Sequence, residues 1–178
     1  KELERLNVTP SDIIVGLAAS GRTPYVHGVI KKAKKIGSPT IFITTVSSDQ
    51  VDLEVDHMID IPVGPEVIMG STRMKSATAQ KMVLNMLTTG AMIRLGKVYQ
   101  NVMVDLQLTN KKLEERAKRI VMMLAGLEYK EASVYLDKAD YHVKTALLMA
   151  LANLNKPQAE KELLKHDGFI RKALLDLN

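Results

Sequence analysis

Ile13-Ile14-Val15-Gly16-Leu17-Ala18, followed at once by Ala19-Ser20-Gly21-Arg22-Thr23-Pro24, decides how this chain folds. Six apolar residues in succession read as a short strand buried on both faces, the kind found in parallel sheets. Thr23 is placed to cap a helix, and Pro24 suits the first helical position, where its fixed φ fits and its missing N–H costs nothing. That helix is expected to reach Ile36 and stop at Gly37.

Working outward, residues 40–45 (Thr-Ile-Phe-Ile-Thr-Thr) are β-branched enough for a second strand. A polar loop at 47–54 leads to a third strand at 57–61. Strand, helix, strand, loop, strand predicts a parallel α/β sheet. From Lys75 to about Leu95 the pattern is apolar nearly all round, with Ala77, Ala79, Met82, Val83, Leu84, Met86, Leu87, Ala91 and Met92. Such a helix belongs in a core or at an oligomer surface. Gly96 ends it, and residues 97–109 are too mixed to assign. Asn110 opens a helix with Leu113, Ala117, Ile120, Val121 and Leu124 on one face, closed by Gly126. Four short amphipathic helices are expected near 130–139, 142–154, 157–166 and 168–177, with Asn155 as a cap. This divides the chain into an α/β part, 1–126, and a small helical tail, 127–178. The tail reads as a lid packed on the sheet domain or as a small interaction bundle. The lid is favoured, because small helical units gain stability by packing onto larger cores.

Composition narrows the function. The 178 residues are 46% apolar, enough for a core, but only 4% aromatic with no Trp. Base-stacking platforms are therefore not expected, which argues against nucleic acid as a partner. A net charge of +5 suits anionic ligands. The basic run at 31–35 lies near a helix C-terminus, where cations complement the dipole, and Glu114 and Glu115 dilute the run at 111–119. Cys is absent, so neither disulfides nor thiol chemistry operate. No signal peptide is visible and no uncharged apolar stretch reaches the ~20 residues of a membrane span, so a cytoplasmic location is expected and no membrane partner. The sequence opens on Lys1 rather than Met, with a strand candidate close behind, as expected of a piece of a longer protein.

Two runs carry chemistry. Residues 64–75 read Gly-Pro-Glu-Val-Ile-Met-Gly-Ser-Thr-Arg-Met-Lys, and residues 18–24 read Ala-Ala-Ser-Gly-Arg-Thr-Pro. Each follows a strand, opens a helix and sets Arg beside hydroxyls. Backbone N–H groups at a helix start, hydroxyl donors and cations suit a phosphate ester, such as a phosphosugar. Taken singly, each run fits an ordinary helix cap equally well. The candidate ligand residues are Ser20, Gly21, Arg22, Thr23, Glu66, Ser71, Thr72, Arg73 and Lys75. Glu66 is the one carboxylate in either run; it is an acid/base candidate, or it accepts backbone N–H bonds in the turn. Ser20 has no base nearby and is not a nucleophile. His27, His57, His142 and His166 show no metal-ligand spacing, and neither a metal nor a cofactor is expected.

Residues 64–66 through 71–75, continuing into Thr78-Ala79-Gln80-Lys81, resemble the signature shared by bacterial N-acetylmuramic acid 6-phosphate etherases and the animal glucokinase regulatory protein. Residues 16–26, 83–87, 96–99, 101–105 and 168–174 agree with the etherase branch, so the resemblance covers nearly the whole chain. It implies a sugar isomerase (SIS) fold, a three-layer α/β/α sandwich around a parallel sheet, here lacking its N-terminal part, followed by a small helical bundle. It also implies that Ser20 and Thr23 bind phosphate, with the Ser71–Thr72 loop, Arg73 and Lys75 in the same pocket. Ala18 stands where some relatives have a hydroxyl, and Ser76-Ala77 where many etherases have Ala-Gly.

The implied reaction is lyase chemistry in cell-wall recycling. It cleaves the lactyl ether of N-acetylmuramic acid 6-phosphate by elimination and water addition, giving N-acetylglucosamine 6-phosphate and D-lactate. In the family the two glutamates for this work lie upstream of the segment matching Ile13, so this chain alone is not expected to catalyse. A homodimer is the implied assembly; the apolar 75–95 helix is the candidate surface for it, a core role explaining that helix equally well. A non-catalytic phosphosugar-binding regulator is the alternative, and an aldose–ketose isomerase fits residues 64–81 less well.

Overall fold

A computed structural model describes residues 2–177. They form two compact units, 1–87 and 88–178, with the division inside a long helix rather than after Gly126.

The first unit begins with a short helix, α1 (Glu2–Arg5), and then β1 (Ile14–Leu17), α2 (Pro24–Ile36), β2 (Thr40–Thr44) and β3 (His57–Asp60). The three strands form a parallel sheet in the order β1-β2-β3, with Ile14 opposite Thr40 and Ile41 opposite His57. Alternation along β1 explains its packing. Ile14, Gly16 and Ala18 turn toward α2, where a Cβ on Gly16 would lie 2.7 Å from Val26 Cγ1. Helix and strand approach closely because that Cβ is missing.

Burial of β1 on both faces is not observed. Ile13 is 60% exposed and Val15 36%, because β1 is the edge strand here and α2 covers one face. The central strand β2 fits the expectation instead, with Phe42, Ile43 and Thr44 buried. Gly37 ends α2 in the left-handed conformation, donating its N–H to Ala33 O and Lys34 O.

Helix α3 (Lys75–Arg94) has the expected length, but Ser76 is its one buried residue. Met82, Met86, Met92 and Ile93 are each about half exposed or more. The core role expected of this helix is therefore not met within the chain, and the oligomer-surface alternative remains.

The unassigned 97–109 segment holds a small antiparallel hairpin, β4 (Val98–Tyr99) and β5 (Val102–Met103), with Gln100 at positive φ in the turn. Five helices follow: α4 (Lys111–Ala125), α5 (Tyr129–Lys138), α6 (Val143–Ala152), α7 (Lys156–Lys165) and α8 (Ile170–Leu177). Asn110 Oδ1 caps α4 by accepting from Leu113 N, and Asn155 with Gln158 forms a capping box on α7. Gly126 does close α4, but the apolar face of α4 packs on α5 and α6, so a helix stop is not a unit boundary. Helix α6 sits at the centre, buried from Val143 to Met149 and touching α4, α5, α7 and α8. Within that run, Lys144 donates from Nζ to Gly96 O at 3.3 Å and Gly168 O at 3.2 Å. Gly168 has φ +75°, a conformation other residues adopt only with strain, and a Cβ there would lie 2.8 Å from the movable Lys144 ammonium.

Candidate functional site

The loops after β1 and β3 leave the C-terminal ends of parallel strands, where open α/β sheets bind their ligands. The first is pinned through its carbonyls. Ala19 O accepts from Thr45 N at 3.1 Å, Thr45 Oγ1 at 3.0 Å and Thr44 Oγ1 at 3.2 Å. His27 Nε2 lies 2.6 Å from Gly21 O, so that ring nitrogen carries the proton and donates. Gly21 itself has φ +70°, and a Cβ there would lie 2.5 Å from Val51 Cγ2.

With the backbone fixed, the side chains of Ser20, Arg22 and Thr23 are left exposed. Thr23 occupies the N-cap position of α2, but its hydroxyl makes no capping bond. The ordinary-cap explanation of this hydroxyl therefore fails. Ser20 and Arg22 likewise have no hydrogen-bond or ionic partner among the described residues.

The second loop differs. Glu66 reaches across nine residues, accepting from Lys75 N through Oε2 and from Ser76 N through Oε1, both at 3.0 Å. Those two N–H bonds hold its carboxyl below the usual carboxylate range, Ser76 contributing most. The start of α3 is thus occupied by the protein's own carboxylate, and its free N–H groups, expected for a ligand, are already spent. Glu66 fills the turn-stabilising role of its two alternatives. The hydroxyls of Ser71 and Thr72 do not cap α3; Ser71 N closes a turn on Ile68 O, and Thr72 O accepts from Ala77 N. Arg73 and Lys75 extend exposed cations from this loop.

A buried hydroxyl pair joins the two loops. Thr45 Oγ1 and Ser76 Oγ are 2.9 Å apart, with both residues buried. The Thr45 hydroxyl faces two acceptors, Ala19 O at 3.0 Å and Ser76 Oγ at 2.9 Å. Ala19, Thr45, Ser76 and Glu66 therefore run in sequence from one loop to the other. Sequence reasoning singled out neither Thr44, Thr45 nor His27; the signal available was two threonines at the exit of an otherwise apolar strand. Each loop carries neutral donors and cations, and the one carboxylate between them is already engaged, a composition that suits an anion.

Residues 2–90 match the SIS domain. The chain belongs to the SIS domain family. In this SIS domain chain, residues 100–146 also match the C-terminal lid domain of glucokinase regulatory protein. Proteins called N-acetylmuramic acid 6-phosphate etherase are similar over almost its whole length. The one from Salinibacter ruber is 53% identical over 97% of the chain and 56% of its own length. That of Clostridium beijerinckii is 51% identical over 100% of the chain and 59% of its own length, and that of Bacillus subtilis 45% over 98% and 57%. The SIS domain chain thus spans a little over half the length of the curated relatives it matches. No helix among the described residues is long and apolar enough to cross a membrane.

Proposed function

We propose that this chain is the phosphosugar-binding portion of an N-acetylmuramic acid 6-phosphate etherase. The observation that carries the reading is identity of 45–53% with relatives of that name across nearly all of the chain. In the whole protein, the sugar opens to its aldehyde and the C2 proton becomes acidic. A base removes it, an acid assists departure of D-lactate from C3, and water adds to give N-acetylglucosamine 6-phosphate. Peptidoglycan recycling in the cytoplasm is the process this serves.

Within the chain, the work is binding. Ser20 and Thr23 donate to the phosphate, the Gly21 turn brings the backbone close, and Arg22 supplies charge. Arg73, Lys75, Ser71 and Thr72 line the same pocket from the second loop. Glu66, kept ionised by two amide N–H groups, holds that loop in place; the acid/base pair belongs to residues preceding Ile13 in the parent protein. The exposed methionine face of α3 suits a homodimer contact.

D-lactate release from N-acetylmuramic acid 6-phosphate by the full-length parent protein tests the reading. Release supports the etherase. Absence of release from a folded protein that still binds sugar phosphates favours the regulator, a reading supported by the lid-domain match at residues 100–146.

A further inference from the structure

Glu162 and His166 lie one turn apart near the end of α7, so their side chains project from the same face. Asp176 on α8 reaches the same point. His166 Nε2 is 3.3 Å from Asp176 Oδ2 and 3.7 Å from Glu162 Oε2, and the three ligand atoms all lie within 4.8 Å of one another. A tetrahedral zinc shell, with bonds of about 2.0–2.2 Å to imidazole and carboxylate, sets neighbouring ligand atoms roughly 3.3–3.6 Å apart. The two separations from His166 are close to that before any side chain moves, and the carboxylates need only close on each other from within 4.8 Å.

A second observation is independent of this spacing. Glu162 Oε2 is buried and accepts no hydrogen bond. Its nearest basic neighbours are the His166 ring at 3.7 Å and Lys165 Nζ at 3.8 Å, both within ion-pair range but longer than a hydrogen bond. A buried carboxylate oxygen that accepts no hydrogen bond and has only longer ion-pair contacts is costly, and a bound cation would resolve it. Neutral imidazole with two carboxylates is a donor set that suits zinc.

We infer that Glu162, His166 and Asp176 form a zinc-binding clip that ties α8 to α7. Lys165 is the competitor. Its ammonium is bonded to Asp176, but the side chain is 55% exposed and can turn into solvent when the cation enters. The fourth position goes to water on the open side of Asp176. The clip does not depend on the etherase reading, because it lies wholly within the last two helices.

Calorimetric titration of zinc chloride into the 178-residue chain tests it, with magnesium as the hard-cation control. One zinc per chain is expected, with a rise in melting temperature that EDTA reverses. Glu162→Gln, which keeps the shape of the side chain, and His166→Ala should each weaken binding at least about tenfold. Lys165→Met should tighten it, a direction that chance binding at a surface histidine does not share. No zinc binding by the unaltered chain, equal binding by the Glu162 and His166 variants, or unchanged affinity in Lys165→Met each overturns the clip.

Discussion

Helices α6 and α3 are both apolar, yet one is enclosed and the other is not. Seven successive residues of α6 are buried, including a lysine and a threonine. Along the twenty residues of α3, only Ser76 is. The helical unit closes a core from its own residues, while the sheet unit leaves one side of β1 and most of α3 uncovered. Apolar periodicity therefore tells which residues seek cover and is silent on whether the same chain provides it.

The sharpest way to break this contrast is to cut into the enclosed side. Leu147→Ala, at a fully buried position, should cost about 2–5 kcal/mol by urea denaturation of the 178-residue chain. A loss below 1 kcal/mol, on the order of a surface change, would mean that the α6 core is loosely packed.

On the sheet side, large effects should appear at the loop and not on the uncovered face. Gly21→Ala forces an L-residue to positive φ against Val51 and should cost about 1–3 kcal/mol, together with phosphosugar affinity. Arg73→Ala should weaken phosphosugar binding by about 1.5–3 kcal/mol in the full-length protein while leaving the melting temperature unchanged. Unchanged affinity by calorimetry would remove Arg73 from the site.

A pH series sharpens the contrast further. Burial, and then the nearby Lys144 charge, hold the His142 imidazole below its ordinary 6.5. The folded unit therefore binds fewer protons than the unfolded chain. Its stability is complete above 6.5 and declines as pH falls through the lower folded value. His142→Gln should flatten that acid decline; an unaltered profile would assign it to other groups. The smallest effect is expected on the open face, where Met86 is 61% exposed and Met86→Ala should stay within about 0.5 kcal/mol. A larger loss that grows with protein concentration would show that a second copy covers α3.

The regular elements were legible in the sequence because their signals were local. Gly37, Asn110, Gly126 and Asn155 each punctuate a helix by backbone chemistry that needs no distant partner. The β4–β5 hairpin was not, since two-residue strands carry too short a pattern to alternate. In the candidate site, the hydroxyl and arginine loops could be read directly, whereas the Glu66 cap spans nine residues and competes with a catalytic reading of the same carboxylate. Thr45 and His27 were given no part in the loops because each bonds a backbone carbonyl there, which leaves no trace in side-chain motifs. Gly64-Pro65-Glu66 looked like a ligand turn for the same reason: composition does not say whose N–H groups an acid will take.

Lys144 offers one more use of the structure. Its amine is enclosed by two glycine carbonyls and the body of α6, with the residue only 8% exposed. An acylating reagent reaches most lysines by simple diffusion, but Lys144, bonded to two carbonyls and 8% exposed, should react far more slowly until the helical unit opens. The rate at which Lys144 is acylated, followed by mass spectrometry, is thus a clock built into the chain that counts openings of its most tightly closed part.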